Sequence, residues 1–249
     1  MSSLFKKSSF REIEKNILKA TTRDLVIFDV DYTLISPIDK ILRPCGETYV
    51  EEWIKKYNLD KNNTFKEEII SIVLKERSVE VVNRSFIDLI ENLKKRSIPV
   101  MALTAIATKK YGIISSMEDW RINDLLQLGY DFSTSWPKKV SLKEFYDGTK
   151  AEPVFKQGIL FTDYLEKGDT LTNFLKKTSI NPAKIYFVDD MEKHLKSVYN
   201  ALKKMGICFK GFLYQYLYSK DKNLSIDIAK KQLEILYHNK KWISENNII

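Results

Sequence analysis

Apolar residues fall along this chain in two rhythms. Leu25-Val26-Ile27-Phe28, Ile98–Leu103 and Ile185–Val188 are nearly unbroken runs, rich in β-branched residues. Runs of that length read as strands buried on both faces. Ile207–Tyr214 reads as a further strand. Between the runs the apolar residues recur every three or four positions, the helical period. Phe10, Ile13, Ile17 and Leu18 mark a helix from Ser9 to Ala20, opened by the capping box Ser9-Phe10-Arg11-Glu12. Phe86, Leu89, Ile90 and Leu93 mark another, and Trp120, Leu125 and Leu128 lie on one from Ser116 to Leu128. A helix opening at Lys167-Gly168-Asp169 precedes the third run, and Leu195, Val198 and Leu202 follow it in a helix closed by Gly206. A last helix spans Ser225 to Leu236. Strands that alternate with helices predict an α/β fold, a Rossmann-like parallel sheet with helices on both faces.

Two stretches break the alternation. Residues 35–83 separate the first strand from the next βα unit, which is long for a connection. They hold two helical patterns, Tyr49, Val50, Trp53, Ile54 and Tyr57, then Phe65, Ile69, Ile72 and Val73 behind the capping box at Thr64. This stretch is expected to be a small helical cap inserted into a core made of residues 1–34 and 84–249. From Tyr130 to Tyr164 the spacing shortens again, which predicts a β-hairpin.

Composition changes this picture little. The chain has 249 residues, 44% hydrophobic and 30% charged, and only 8 Gly and 6 Pro, as in a globular protein with a sizeable core. A net charge of +8 favours anionic partners. Lys138, Lys139, Lys143 and Lys150 are interleaved with Trp136, Phe145 and Tyr146, which reads as a solvated hairpin or, alternatively, as a mixture able to bind single-stranded nucleic acid. Cys45 and Cys208 make no CxxC pair, so neither a zinc cluster nor a disulfide framework is indicated. No apolar run reaches membrane-spanning length, and Met1 to Lys7 lacks the apolar core of a signal peptide. The expected compartment is cytoplasmic, or secreted or periplasmic for a chain from which a leader has been removed.

The strand ends carry the candidate chemistry. The first run ends in Asp29-Val30-Asp31-Tyr32-Thr33, the second in Thr104 and the third in Asp189-Asp190. In a parallel sheet these ends share one edge, where open α/β sheets bind ligands. Close carboxylates repel unless a cation or a shared proton relieves them, which points to a Mg²⁺ site. Thr104 and a lysine, Lys167 or Lys156, are placed to hold phosphate oxygens. The plain alternative for the first pair is a strand running into an acidic turn.

In these four motifs, and over Arg23 to Tyr214, the chain resembles the haloacid dehalogenase superfamily of phosphohydrolases. Its tail, with Gly211-Phe212-Leu213-Tyr214, Gln232 and Trp242, resembles an uncharacterised bacterial branch of that superfamily. The resemblance implies Asp29 as a nucleophile that becomes an aspartyl-phosphate, and Asp31 as general acid and base. It implies Mg²⁺ held by Asp29, the Asp31 carbonyl and Asp189, with Asp190 and Thr33 in support, and phosphate held by Thr104 and Lys167. Asp31, two residues after the nucleophile, matches the phosphatases of the superfamily. The expected activity is hydrolysis of a phosphorylated substrate. The competing expectations are a catalytically silent binding protein that keeps only the cation site, and a nucleic-acid-processing phosphatase. His194 follows Asp190 on a helix, which makes it a surface residue or, alternatively, a polar neighbour of the site; His238 is expected on the surface, and neither is given a role.

Overall fold

The apolar runs are buried on both sides because alternate residues of each strand point to opposite faces. A computed structural model describes residues 5–136, 139–220 and 223–248. Met1 to Leu4 of the leader reading, and Lys138 of the basic stretch, lie outside the described residues. In chain order the elements are α1 (Phe10–Ile17), β1 (Leu25–Phe28), β2 (Ile35–Pro37), α2 (Glu47–Lys56), α3 (Asn63–Glu76), β3 (Val79–Val81), α4 (Ser85–Lys95), β4 (Val100–Thr104), α5 (Met117–Gln127) and β5 (Lys139–Ser141). They continue with β6 (Val154–Lys156), β7 (Ile159–Phe161), α6 (Lys167–Thr178), β8 (Lys184–Asp189), α7 (Glu192–Met205), β9 (Cys208–Leu213), α8 (Tyr216–Lys220) and α9 (Ile226–Asn239).

Seven strands form one sheet in the order β5-β6-β7-β4-β1-β8-β9. The five from β7 to β9 are parallel, and β6 and β5 add antiparallel at the edge. Val26 and Phe28 pack on one face with Ile13 and Ile17 of α1, Phe86 and Leu93 of α4 and Leu125 of α5. Leu25 and Ile27 pack on the other with Leu171 and Phe174 of α6 and Val198 and Leu202 of α7. Helices therefore cover both faces, as the unbroken apolar runs require.

The sequence signals set most boundaries. Ser9 closes the expected capping box: its hydroxyl accepts from Glu12 N at 3.3 Å and the Glu12 carboxylate accepts from Ser9 N at 2.8 Å. The box expected at Thr64 does not form. The side chain of Asn62 accepts from Phe65 N at 3.1 Å and starts α3 two residues earlier. The expected hairpin is β6–β7, in which Lys156 pairs with Ile159 across the two-residue turn Gln157-Gly158. Both turn residues have positive φ, the type I′ geometry of a tight hairpin. A Cβ on Gly158 would also lie 2.0 Å from the Phe132 carbonyl oxygen, so glycine is needed there twice over.

The insertion begins and ends in a two-stranded antiparallel ribbon, with Ile35 opposite Val81 and Pro37 opposite Val79. Its helices bury Trp53, Ile69 and Ile72 against Ala229, Leu233 and Leu236 of α9 and against Trp242. Tyr57 stacks on Tyr237 at 3.8 Å between ring centroids. The division expected from the sequence groups α9 with the larger part, but its apolar side chains pack on the insertion. Asp39, wholly buried, accepts from Trp242 Nε1 at 2.8 Å, Ser244 Oγ at 2.9 Å and Glu245 N at 2.6 Å, which fastens the C-terminal segment to the start of the insertion. Among the described residues no helix is long and apolar enough to cross a membrane.

Candidate active site

Strand register brings the polar strand ends level. Phe28 lies opposite Val188 on one side and Ala102 on the other. One step further, Asp29 N donates to Val188 O at 2.9 Å, so Asp29 and Asp189 leave their strands side by side, with Thr104 at the end of the neighbouring β4. After Asp29 the chain turns tightly. Leu34 N and Ile35 N both donate to Val30 O, and Tyr32 takes φ of 62° while its N donates to Ile35 O at 2.7 Å. That left-handed tyrosine is a costly backbone state, and its hydroxyl fixes it to the insertion by donating to Leu42 O at 2.7 Å.

The turn sends the two carboxylates of the first motif to different partners. Asp29 faces Asp189 and Asp190, and the three buried side chains offer oxygens within 4.8 Å of one another. Thr33 Oγ1 donates to Asp29 Oδ2 at 3.1 Å. Lys167, the first residue of α6, reaches between two strands and donates to Asp29 Oδ1 at 2.5 Å and Asp189 Oδ2 at 2.7 Å. Its side chain is wholly buried. Lys156, the other lysine open from the sequence, pairs with Asp119 at 2.5 Å instead. Thr104 Oγ1 is buried with no hydrogen-bond partner, a hydroxyl left ready for a ligand.

The side chain of Asp31 turns out of this cluster. Arg121 Nη2 donates to both its oxygens, at 2.8 and 3.0 Å, and Arg77 Nη2 lies 3.8 Å away. Both guanidinium groups face the Trp120 ring, at 4.6 and 5.7 Å from its centroid. Asp31 therefore adds no carboxylate to the cluster, and Asp190 brings the third.

Burial dominates the electrostatics. It pushes Asp29 up to about 6, against the pull of Lys167 and with the help of Asp189 and Asp31. It pushes Asp190 up to about 8, with Asp29 and Asp189 adding repulsion. Burial would raise Asp189 too, but Lys167 and His194 outweigh it and hold that carboxyl low. For Lys167 burial opposes the charge, and Asp189 and Asp29 outweigh it, so its pKa is raised. Asp190 is then protonated at neutral pH, and even so Asp29 and Asp189 around one ammonium leave excess negative charge. A hard divalent cation with oxygen ligands, such as Mg²⁺, fits that donor set.

Three residues of the site escape the sequence reading. Arg121 had a signal: a charged residue on the inward stripe with Met117 and Leu125. Arg77 and Tyr218, whose hydroxyl donates to Asp190 Oδ2 at 2.9 Å, had none. Of the two places open to His194 it takes the one beside the site: its Nδ1 lies 3.2 Å from Asp189 Oδ1. One turn of α7 brings it back over the strand end. His238 is exposed beside Glu234. In the basic aromatic stretch Phe145 is exposed, while the other contacts are internal. Trp136 packs on Phe155 and Phe174 and donates to Val100 O at 2.7 Å, and Lys143 pairs with Glu152.

The protein family described as a protein of unknown function (DUF2608) matches residues 6–249 of the chain. An uncharacterised protein of Rickettsia prowazekii (strain Madrid E) is 28% identical over 239 residues, covering 93% of this chain and 84% of that relative. An uncharacterised protein of Rickettsia bellii (strain RML369-C) is 23% identical over 251 residues, covering 95% and 83%. No solved structure matches the chain.

Proposed function

The chain belongs to the family of unknown function DUF2608, whose description assigns no activity, and from the geometry of its site we propose a metal-dependent phosphomonoester hydrolase of the haloacid dehalogenase type. One juxtaposition carries the reading. Buried Lys167 bridges Asp29 and Asp189, and the unpartnered hydroxyl of Thr104 stands at the end of the adjoining strand. The sheet and its flanking helices then serve as a Rossmann-like core, and residues 35–83 as its cap.

In this reading Asp29 attacks phosphorus. Its Oδ–P bond forms as the ester P–O bond breaks, and Asp31 gives a proton to the departing alkoxide. A water then attacks phosphorus, Asp31 takes its proton, and the Oδ–P bond breaks to release orthophosphate. A pKa of about 6 leaves most of Asp29 ionised at neutral pH while keeping it more basic than an ordinary aspartate. Thr33 orients it. Lys167 and Thr104 hold the non-bridging oxygens, where the transition state carries its charge. Mg²⁺, when bound by Asp29, Asp189 and Asp190, would supply positive charge between nucleophile and phosphate. Arg121 positions Asp31, which exchanges one of its two contacts for the leaving oxygen.

Purified protein is expected to release the phenol of a generic aryl phosphate with Mg²⁺ and not with EDTA, and Asp29→Asn to fall to background. Hydrolysis that stays at background and is indifferent to the substitution would sink the proposal. The Asp31–Arg121 pair favours one second reading, a cation-binding protein without turnover, because it occupies both oxygens of the proposed acid. Calorimetric Mg²⁺ binding lost in Asp189→Asn, without hydrolysis, would establish that reading.

A further inference from the structure

The insertion and the C-terminal helix enclose a cavity of about 420 Å³ that the steps above leave unused. Such a volume is in the range of small-molecule sites, about 300–1,000 Å³. Its walls are mainly apolar: Trp53, Ile54, Ile69 and Val73 from α2 and α3, and Leu233 and Trp242 from the C-terminal segment. Glu47 and Glu51, both exposed, also line it, and Glu47 is close enough to Tyr32 and Tyr218 to act on them electrostatically.

At one end the cavity is lined by residues that border the carboxylate site. Four of its lining residues are already tied to the site. Tyr32 is the strained residue between Asp31 and Thr33, Met191 follows Asp190, Tyr218 donates to Asp190, and Arg77 lies 3.8 Å from Asp31. Two of the lining residues carry three donor atoms without a hydrogen-bond acceptor. Trp53 Nε1 is buried without an acceptor, and so are Nε and Nη2 of Arg77, whose side chain is 7% exposed. Buried donors of this kind are costly unless something meets them.

We infer that the cavity seats the alcohol part of the substrate, and that the substrate class is the phosphomonoester of a largely apolar alkyl or aryl alcohol. This rests on the phosphohydrolase reading of the carboxylate site. The phosphate sits at Asp29, Lys167 and Thr104. Arg77 meets its oxygens at the junction, and the apolar body extends between α2, α3 and α9. An oxygen along that body would satisfy Trp53 Nε1. Sugar and nucleoside phosphates are disfavoured, since the walls offer few partners for their hydroxyls.

The test is an n-alkyl phosphate series from ethyl to octyl, assayed for orthophosphate release with Mg²⁺. In the wild-type protein kcat/KM is expected to rise about fourfold per methylene until the cavity is full, equivalent to about 0.8 kcal/mol per group. Val73→Trp and Ile70→Trp fill the cavity from α3, and in each the ratio of hexyl to ethyl kcat/KM is expected to collapse to about one. Turnover of ethyl phosphate with a flat wild-type series overturns the inference and leaves the phosphohydrolase standing. A wild-type series that rises equally in both variants also overturns it, because the gain then arises outside the cavity. Absence of turnover for every alkyl and aryl phosphate overturns the underlying reading, and the inference with it.

Discussion

Lys167 is the residue on which the charges of the site depend. Its side chain is wholly buried and donates to carboxylates from two strands. Removing one partner of such a group leaves buried charge without compensation, at a cost of about 3–5 kcal/mol. Lys167→Met is therefore expected to lower the stability of the metal-free protein by about 3 kcal/mol in urea unfolding, with part of the loss recovered on adding Mg²⁺. Asp190 gives a pH signature. Burial, then Asp29 and Asp189, raise it to about 8 in the folded protein, against an ordinary value of 3.8. A raised carboxyl contributes stability fully below the unfolded value and loses it as pH climbs through the folded one. With EDTA present, the stability of the wild type relative to Asp190→Asn is expected to fall between about pH 4 and pH 8, by up to about 1.4 kcal/mol per pH unit. A difference that is flat across that window would contradict the protonated state assigned to Asp190. Asp29, Thr104, Asp189 and Asp190 were legible in the sequence because each ends a buried apolar run. Tyr218 was not, because a distant segment brings it in and leaves no local pattern, and His194 was legible only as an alternative to a surface residue, from its place on the helix after Asp190.

At the scale of elements, α6 sits where it does because Gly168 has no side chain. A Cβ there would lie 2.3 Å from the Ser197 carbonyl oxygen on α7, a backbone atom that cannot rotate away. Gly168→Ala is expected to push α6 off α7, destabilise the fold by about 1–3 kcal/mol in urea unfolding, and lower aryl phosphatase activity, since Lys167 is the adjacent residue. Helix ends were readable where the cap is local, as at Ser9. At α3 two polar residues competed, and Asn62, which caps one residue outside the helix, took the place of Thr64. The hairpin was legible from its short apolar runs. The outer strand β5 is held by pairing with β6, for which the sequence offers little periodicity.

For the whole molecule, the α/β alternation was open to reading because it follows from unbroken apolar runs, whereas the docking of α9 on the insertion was not. That docking joins residues about 200 positions apart, and the apolar stripe of α9 names no partner. Asp39 anchors it with donors from Trp242, Ser244 and Glu245. Asp39→Ala leaves those donors buried and unmet, at about 1–3 kcal/mol each when fully desolvated. The expected result is early proteolytic cutting between α8 and α9, with the sheet outlasting the C-terminal segment. The strand order carries a further consequence for how the protein is made. β1 leaves the ribosome well before its partners, since β4 begins at Val100 and β8 at Lys184. At roughly 5–20 residues per second, the central strand waits many seconds for its second neighbour. Throughout that interval Leu25 to Phe28 is an apolar ribbon with an open edge, a segment exposed to mispairing until β8 has been synthesised.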